Sequence, residues 1–423
     1  MTEVNIASQF FTLDQLPDQQ EYRREALRRF EEKGFPGILE EDWRFTNLKP
    51  HLKPFSSAKL LSGTDSIGQT NPGIPGLDAW IVNVYPDGPD LKSLGTIPGV
   101  SIEPYSFDLS EEKMLALNLE TRALYQLNKA MNSGGFSLRI HRNKLIEKPI
   151  HINYYYNNSD FSFHFPRHRI VCEEGSAAVL IESYHFLDAQ AQLFEISNTK
   201  IELEARASLR HGIIQQGIPG FRQANQIIVH QEDDSTYSNF TFNLPESALI
   251  RNNLDIYTYG KATHTDMYGL YFPIDEQVVD NHTALHHYLP GCTSNELYKG
   301  VLRGRSRAVF NGKVFVHHDA QKTNAFQQNN NIILDDRAIV YAKPQLEIFA
   351  DDVRCSHGCT VGRFDNDAMF YLRSRGIGED MARNMLIEAF AFDITSKIQI
   401  DAVRDYLNDI IRQKVLPSQV IYN

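Results

Sequence analysis

The spacing of apolar residues changes character twice along the chain. In the first third, LPDQQEYRREALRRFEEKGFP predicts a helix: Asp18 stands as N-cap with Glu21 three residues on, Gly34 falls where a C-terminal cap belongs, and Pro36 lies just beyond. A Gly/Pro/Ser-rich run from about Ser56 to Pro75 predicts loop, and AWIVNVY after it a short strand. Met114, Leu117, Leu124 and Leu127 recur near helical spacing, so a second helix is expected from Ser110 to about Met131, ended by Gly134 and Gly135. From Phe136 to about Val361 the pattern becomes short runs rich in Val, Ile, Tyr, Phe and Thr, such as PIHINYYY, AAVLIESY and AIVYAKPQLEIFA. Such residues fit a pleated surface, and few segments here suit a helix. Past Thr360 the helical period returns in FDNDAMFYLRSRGI, with Asp365 as cap, in GEDMARNMLIEAFAFDIT, and in DAVRDYLNDIIRQKV, where Val403, Leu407, Ile410 and Ile411 share one side. The expected organisation is an N-terminal helical and mixed part (1–135), an all-β core (136–361) and a C-terminal helical part (362–423), mainly β overall.

Within the β stretch a polar turn followed by a small residue recurs in EEGSAAV, EARASL, EDDSTY, YGKATH and LDDRAIV, at Ala177, Ala207, Thr236, Thr263 and again at Ala338. A repeat of about 30 residues made of short strands is what a β-solenoid gives, each coil burying its inward side chains against the next. A sandwich is the alternative. It needs hairpin turns every 8 to 12 residues or so, and Asn311-Gly312 in FNGKV is the main such signal. The solenoid is therefore the expected core.

Charge narrows the partners. With 423 residues and 42% hydrophobic content the chain can bury a large core, while a formal net charge of -11 argues against nucleic acid, whose phosphates want a basic face. The start, MTEVNIASQFFTLDQL, lacks the basic and apolar regions of a secretory signal, and no stretch approaches the roughly 20 apolar residues of a membrane span. A cytoplasmic protein without a membrane contact is expected. Four widely spaced cysteines make no disulfide framework and remain thiols in a reducing compartment.

The candidate chemistry concentrates in ADDVRCSHGCTVGRF. Cys355, His357 and Cys359 alternate, so on a strand they share one face. Thiolate and imidazole suit zinc or iron. A closed tetrahedral site needs four ligands, however, and neither Cys172 nor Cys292 completes a C-x-x-C pair, which suggests an open or shared site. The plainer reading makes the two cysteines small buried hydrophobes and His357 a structural hydrogen-bonding residue, and spacing alone favours it. His282, His286 and His287, and then His317 and His318, also cluster, but consecutive histidines on a strand face opposite ways and do not readily share an ion. The acidic pairs Asp233-Asp234, Asp335-Asp336 and Asp351-Asp352 raise a carbohydrate-active β-solenoid enzyme as an alternative, since glycoside hydrolysis uses two carboxyl groups. Their positions read more simply as turn punctuation. There is no phosphate-binding loop, dinucleotide fingerprint, nucleophile elbow or H-E-x-x-H, so nucleotide hydrolysis by this chain alone is not expected.

Four stretches carry a family resemblance: KPQLEIFADDVRCSHGCTVGRFDNDAMFYLRSRGI, TSNELYKGVLRGRSRAVFNGKVFVHHDAQKTNAFQQNNNIIL, EDWRFTNL and LNKAMNSGGFSLRIH. The chain resembles the SufB/SufD family of the SUF iron-sulfur cluster assembly machinery. It is more similar to the SufD side, because SufB-like chains have acidic residues flanking the matching histidine where Ser356 and Gly358 stand here. The resemblance implies a right-handed parallel β-helix between helical ends. It also implies a non-enzymatic scaffold that pairs with a SufB paralogue through the β-helix and docks a SufC ATPase on the C-terminal helices. A homodimer is an option for the isolated chain. By the same resemblance His357, with Cys355 second, belongs to a cluster-assembly site at the paralogue interface, as ligand or proton carrier. That makes a metal site of Cys355 and His357 shared with a partner, a transient iron-sulfur cluster there, and no cofactor held stably by the chain alone. Cys359 stands where alanine is usual, so packing is expected of it. Tyr371, Arg373 and Arg375 are candidate partner contacts, the two arginines otherwise reading as helix-end cations.

Overall fold

The computed structural model of the chain describes residues 20–61, 73–107, 121–158 and 160–415. The β stretch winds into a solenoid of about eight coils, its strands dealt alternately to two parallel sheets. One sheet runs from the strand Trp80–Tyr85 through Ile150–Tyr156, Ala177–Phe186, Ser208–Gln215, Thr236–Asn243, His264–Tyr271, Thr293–Leu302 and Asn324–Ile333 to Arg354–Gly362. The other ends at Ile339–Ile348.

The repeat seen in the sequence is a backbone corner. Asn143, Gly175, Arg206, Asp234, Ala262, Gly291 and Lys322 all have positive φ, between 52° and 77°, the left-handed conformation that turns a chain sharply. The strands of the first sheet begin two residues later, in register at Ala177, Ser208, Thr236, His264, Thr293 and Asn324. Such a conformation strains Arg206 or Ala262, and the next coil holds it: the Arg206 N–H donates to Asp233 O at 2.8 Å and the Ala262 N–H to Pro290 O at 3.1 Å. Ala338 does not belong to this column. It precedes Ile339, whose register partner is Arg307, so it marks the corner of the opposite sheet. The Asn311-Gly312 signal is likewise no turn: both residues lie inside the strand Arg307–Val316. Gly312 is small because Gln327 reaches across it; an added Cβ would stand 2.1 Å from the Gln327 amide nitrogen and 2.8 Å from the Phe310 ring. Gly312→Ala is expected to cost about 1–3 kcal/mol by overpacking, measured as a shift of the urea midpoint at unchanged slope.

The helical ends attach by different chemistry. The helix Glu21–Lys33 ends at Gly34 as expected, with Gln20 before its first turn; Asp18 lies outside the described residues, as does the expected start of the second helix at Ser110, which is described from Ala123 to Met131. Both helices pack through Leu27, Phe30, Leu124 and Leu127 onto Phe163, Phe194 and Ile196 of the sheet. EDWRFTNL is a clamp: Trp43 lies under the Arg251 guanidinium at 3.8 Å, Phe45 stacks on Tyr341 at 4.2 Å, and Thr46 donates to Asp280 at 2.5 Å. Asn128 and Asn132 of LNKAMNSGGFSLRIH donate to backbone oxygens of Pro166, Ile196 and Phe165. At the other end the helices Glu379–Thr395 and Asp401–Ile410 lie on the flank of the first sheet, burying Ile387, Ala391, Ile394, Val403 and Leu407 against Ile214, Phe242, Leu270 and Val301. Among the described residues no helix is long and apolar enough to cross a membrane.

Candidate functional site

Antiparallel strands close the solenoid at its N-terminal end, where Val100–Pro104 pairs with Phe136–Ile140 and Gly88–Pro89 with Trp80–Tyr85. At the C-terminal end Arg354–Gly362 and Ile339–Ile348 are the last members of their sheets, each paired on one side only among the described residues. An unpaired edge offers a row of free N–H and C=O groups, a template for another chain. The helices Glu379–Thr395 and Asp401–Ile410 that follow pack on the flank of the first sheet.

Register places the three candidate residues on this end. Cys355 lies beside Ala325, His357 beside Gln327 and Cys359 beside Asn329, and those three partners are buried inward-facing residues. Cys355, His357 and Cys359 therefore form the inward row of the last coil, as their alternation predicted, with no further coil to cover them. The burial that spacing alone favoured does not hold: His357 and Cys359 are exposed and Cys355 is half-buried. Packing was expected of Cys359; its thiol lies 4.0 Å from Asn329 Oδ1 on the exposed end. Cys355 packs beside Val314, Val316 and Ala325. Burial raises both thiols above their usual range, with a backbone hydrogen bond from Ala325 partly offsetting this at Cys355. Neither is a ready thiolate until a metal or cation approaches. Among the described residues no three His, Cys, Asp or Glu side chains gather to hold a metal ion, so the row offers donors without closing a site. Facing it, Val340, Ala342, Pro344, Leu346 and Ile348 make the opposite wall of the open end apolar.

The acidic pairs are corner residues. Asp352 O accepts from the left-handed Lys322 and its carboxylate pairs with the Lys322 ammonium; Asp233 accepts the Lys261 N–H at 2.7 Å, Asp335 the Gly304 N–H at 2.6 Å, and Asp336 pairs with Arg363. These contacts tie one coil to the next, as turn punctuation would.

Tyr371 and Arg373 lie on the helix Asn366–Ser374 and Arg375 just after it. Asp365 caps this helix by accepting the Asp367 N–H at 2.9 Å, and none of its residues is buried. Phe370 is 74% and Tyr371 57% exposed, while Arg375 lies over the Tyr371 ring and Arg373 is 3.7 Å from Glu379.

One grouping escaped sequence reasoning. His286 and His287 do face opposite ways, but the coil repeat sets His286 against Phe315 at 4.3 Å and beside His317, with 3.4 Å between ring nitrogens. The signal available was the separation of about one repeat between His286 and His317.

The family model described as "SUF system FeS cluster assembly, SufBD core domain" matches residues 154–390. The chain is 29% identical over 404 residues to the iron-sulfur cluster assembly protein SufD of Escherichia coli K12, covering 94% of this chain and 93% of that protein. It is 26% identical over 312 residues to SufD of Bacillus subtilis, covering 73% and 71%. A SufBD family protein of Synechocystis is 32% identical over 253 residues, 58% of this chain and 56% of that protein. The matched core takes in the last coil with its Cys-Ser-His row, and with the near full-length likeness it shows that the chain belongs to the SufB/SufD family of iron-sulfur cluster assembly proteins and is of the SufD type.

Proposed function

We propose that the chain is a non-catalytic scaffold subunit of a cytoplasmic SUF complex, in which the open end of the solenoid pairs with a SufB-type paralogue. His357, with Cys355, then contributes donor atoms to an iron-sulfur cluster assembled at that seam as cargo. The observation that carries this reading is the last coil: a one-sided strand whose inward row holds Cys355 and His357 in the open. A second strand added there would bury the row and supply the ligands it lacks. The bare surface of Phe370 and Tyr371, with Arg373 and Arg375, supports docking of a SufC-type ATPase on the C-terminal helices. Lys299 supports transmission of its motion, since it donates to Phe390 O at 3.0 Å and pairs with Asp393, joining those helices to the coil that carries Glu296.

Co-expression with SufB-type and SufC-type partners tests the assignment; the three chains should copurify, and three folded chains that ignore one another would reject it. For His357→Ala the expected stability change is within about 0.5 kcal/mol, because the side chain is exposed. Cluster formation on the purified complex, followed by anaerobic absorbance, should fall by about tenfold or more. Unfolding of the variant instead would mean that His357 is structural.

A further inference from the structure

Behind His357 the inward column of the solenoid is polar, and one acid there is anomalous. The described buried carboxyls are Glu182, Glu195, Asp255, Asp280 and Glu296. The first four face His211, His164, Arg122 and Arg251 respectively. Glu296 faces no basic group; its two oxygens accept from the Thr283 hydroxyl at 2.6 Å and from the Gln327 amide nitrogen at 2.7 Å. Thr283 leaves the Gln327 side free, and the missing side chain of Gly312 gives the amide room to reach across.

Glu296, Gln327 and His357 are register partners on three successive strands, so they stand in one inward column that ends at the seam. Neighbouring strands lie about 4.8 Å apart, within reach of these side chains. With its nitrogen donating to Glu296, the Gln327 amide turns its Oε1 away from the acid, and that oxygen is buried without a hydrogen-bond partner. An orphaned acceptor in a 3% exposed side chain bears its full desolvation cost. Among the exposed row beside it, Cys355, Cys359 and Val361 carry no side-chain N–H, whereas the His357 ring does. A histidine that presents one nitrogen to a metal commonly donates its other N–H to a carbonyl or carboxylate, which fixes both tautomer and ring direction.

We propose that Gln327, anchored by Glu296, is a positioning residue for His357: its Oε1 accepts one ring N–H and thereby fixes which nitrogen is presented, lone pair outward, at the seam. The purpose of this arrangement rests on the reading of His357 as a donor in cluster assembly, but the hydrogen bond proposed would lie within the chain itself, between register partners.

The test is nuclear magnetic resonance of the full chain with 15N-labelled histidine, the His357 signals being assigned by their loss in His357→Ala. One tautomer should dominate by about tenfold, the ratio given by one hydrogen bond of ordinary net strength. Gln327→Met keeps the length but removes the acceptor, and the ratio should relax to that of free imidazole. Glu296→Met, which removes the anchor and the unpaired acid together, should relax it as well and serves if Gln327→Met fails to fold. Glu296→Gln retains an acceptor for the Gln327 amide and should preserve the wild-type ratio. A His357 ring with the free-imidazole ratio in the wild type, or one unmoved by both methionine variants, overturns the proposal. Cluster formation by His357→Ala at the wild-type rate would remove the functional reading while leaving the tautomer result intact, so the two failures are distinguishable.

Discussion

Arg251→Ala is expected to lose about 3–5 kcal/mol of stability, the cost of leaving one member of a buried ion pair alone. The Arg251 guanidinium is buried, donates to Asp280 at 2.5 Å and to Asp42 O at 2.8 Å, and covers the Trp43 ring. Burial alone would raise the Asp280 carboxyl; Arg251 first, then His282 and Thr46, outweigh it and hold the group at about 2. Without the arginine that carboxyl has Thr46 and a histidine for company, and EDWRFTNL loses its central contact. Urea unfolding should show the loss, and limited proteolysis should cut first in the segment around Trp43. A variant within about 1 kcal/mol of wild type would mean that the clamp is held by Phe45 on Tyr341 and by apolar packing instead.

Acid should unfold the chain well before its carboxylates are neutralised. Burial holds His151, His168, His185, His230 and His286 neutral down to about 4 and His287 down to about 3. The unfolded chain binds these protons near pH 6.5, so stability is complete above that value and falls as pH drops towards 4. Each of these groups accounts for up to about 3 kcal/mol by the bottom of the window, and the several together exceed the stability of an ordinary domain. Glu296 works the other way. Burial raises it to about 7, against Thr283 and Gln327, so the folded state holds an extra proton and gains stability as pH falls from 7 towards 4.5. One acid does not balance the histidines. Thermal melts should show Tm falling steeply between pH 6.5 and 5, and a Tm level from pH 7.5 to 4.5 would contradict the buried neutral state. Glu296→Gln should raise Tm at pH 8 and steepen the loss below pH 7.

Much of this was legible in the chain. A left-handed corner admits few residue types cheaply, so polar turns followed by small residues recur at each coil, and the repeat can be read directly even though its phase slips by one at Ala207 and Thr263. Alternation along a strand is equally local, which is why Cys355, His357 and Cys359 were placed on one face correctly. Caps and apolar stripes set the C-terminal helices for the same reason: Asp365 needs only the backbone two residues on.

What lay beyond reach was everything decided between coils. Asn311-Gly312 has the composition of a turn, yet a strand runs through it and the glycine is there because Gln327, about half a coil on in the other sheet, needs the space; no local preference carries that information. The exposure of the Cys-Ser-His row depends on the chain leaving the solenoid after Gly362 and sending its helices along the flank, so that residues with an inward direction have nothing laid over them. Burial is a property of the neighbour, and among the described residues none lies over His357. The meeting of His286 with His317, and the column of Glu296, Gln327 and His357, are likewise products of register. The sequence determined the coil, its corners and its helical ends, since these are settled by backbone preferences within a few residues; the open seam and the column behind it were decided only when residues about 30 positions apart were stacked side by side.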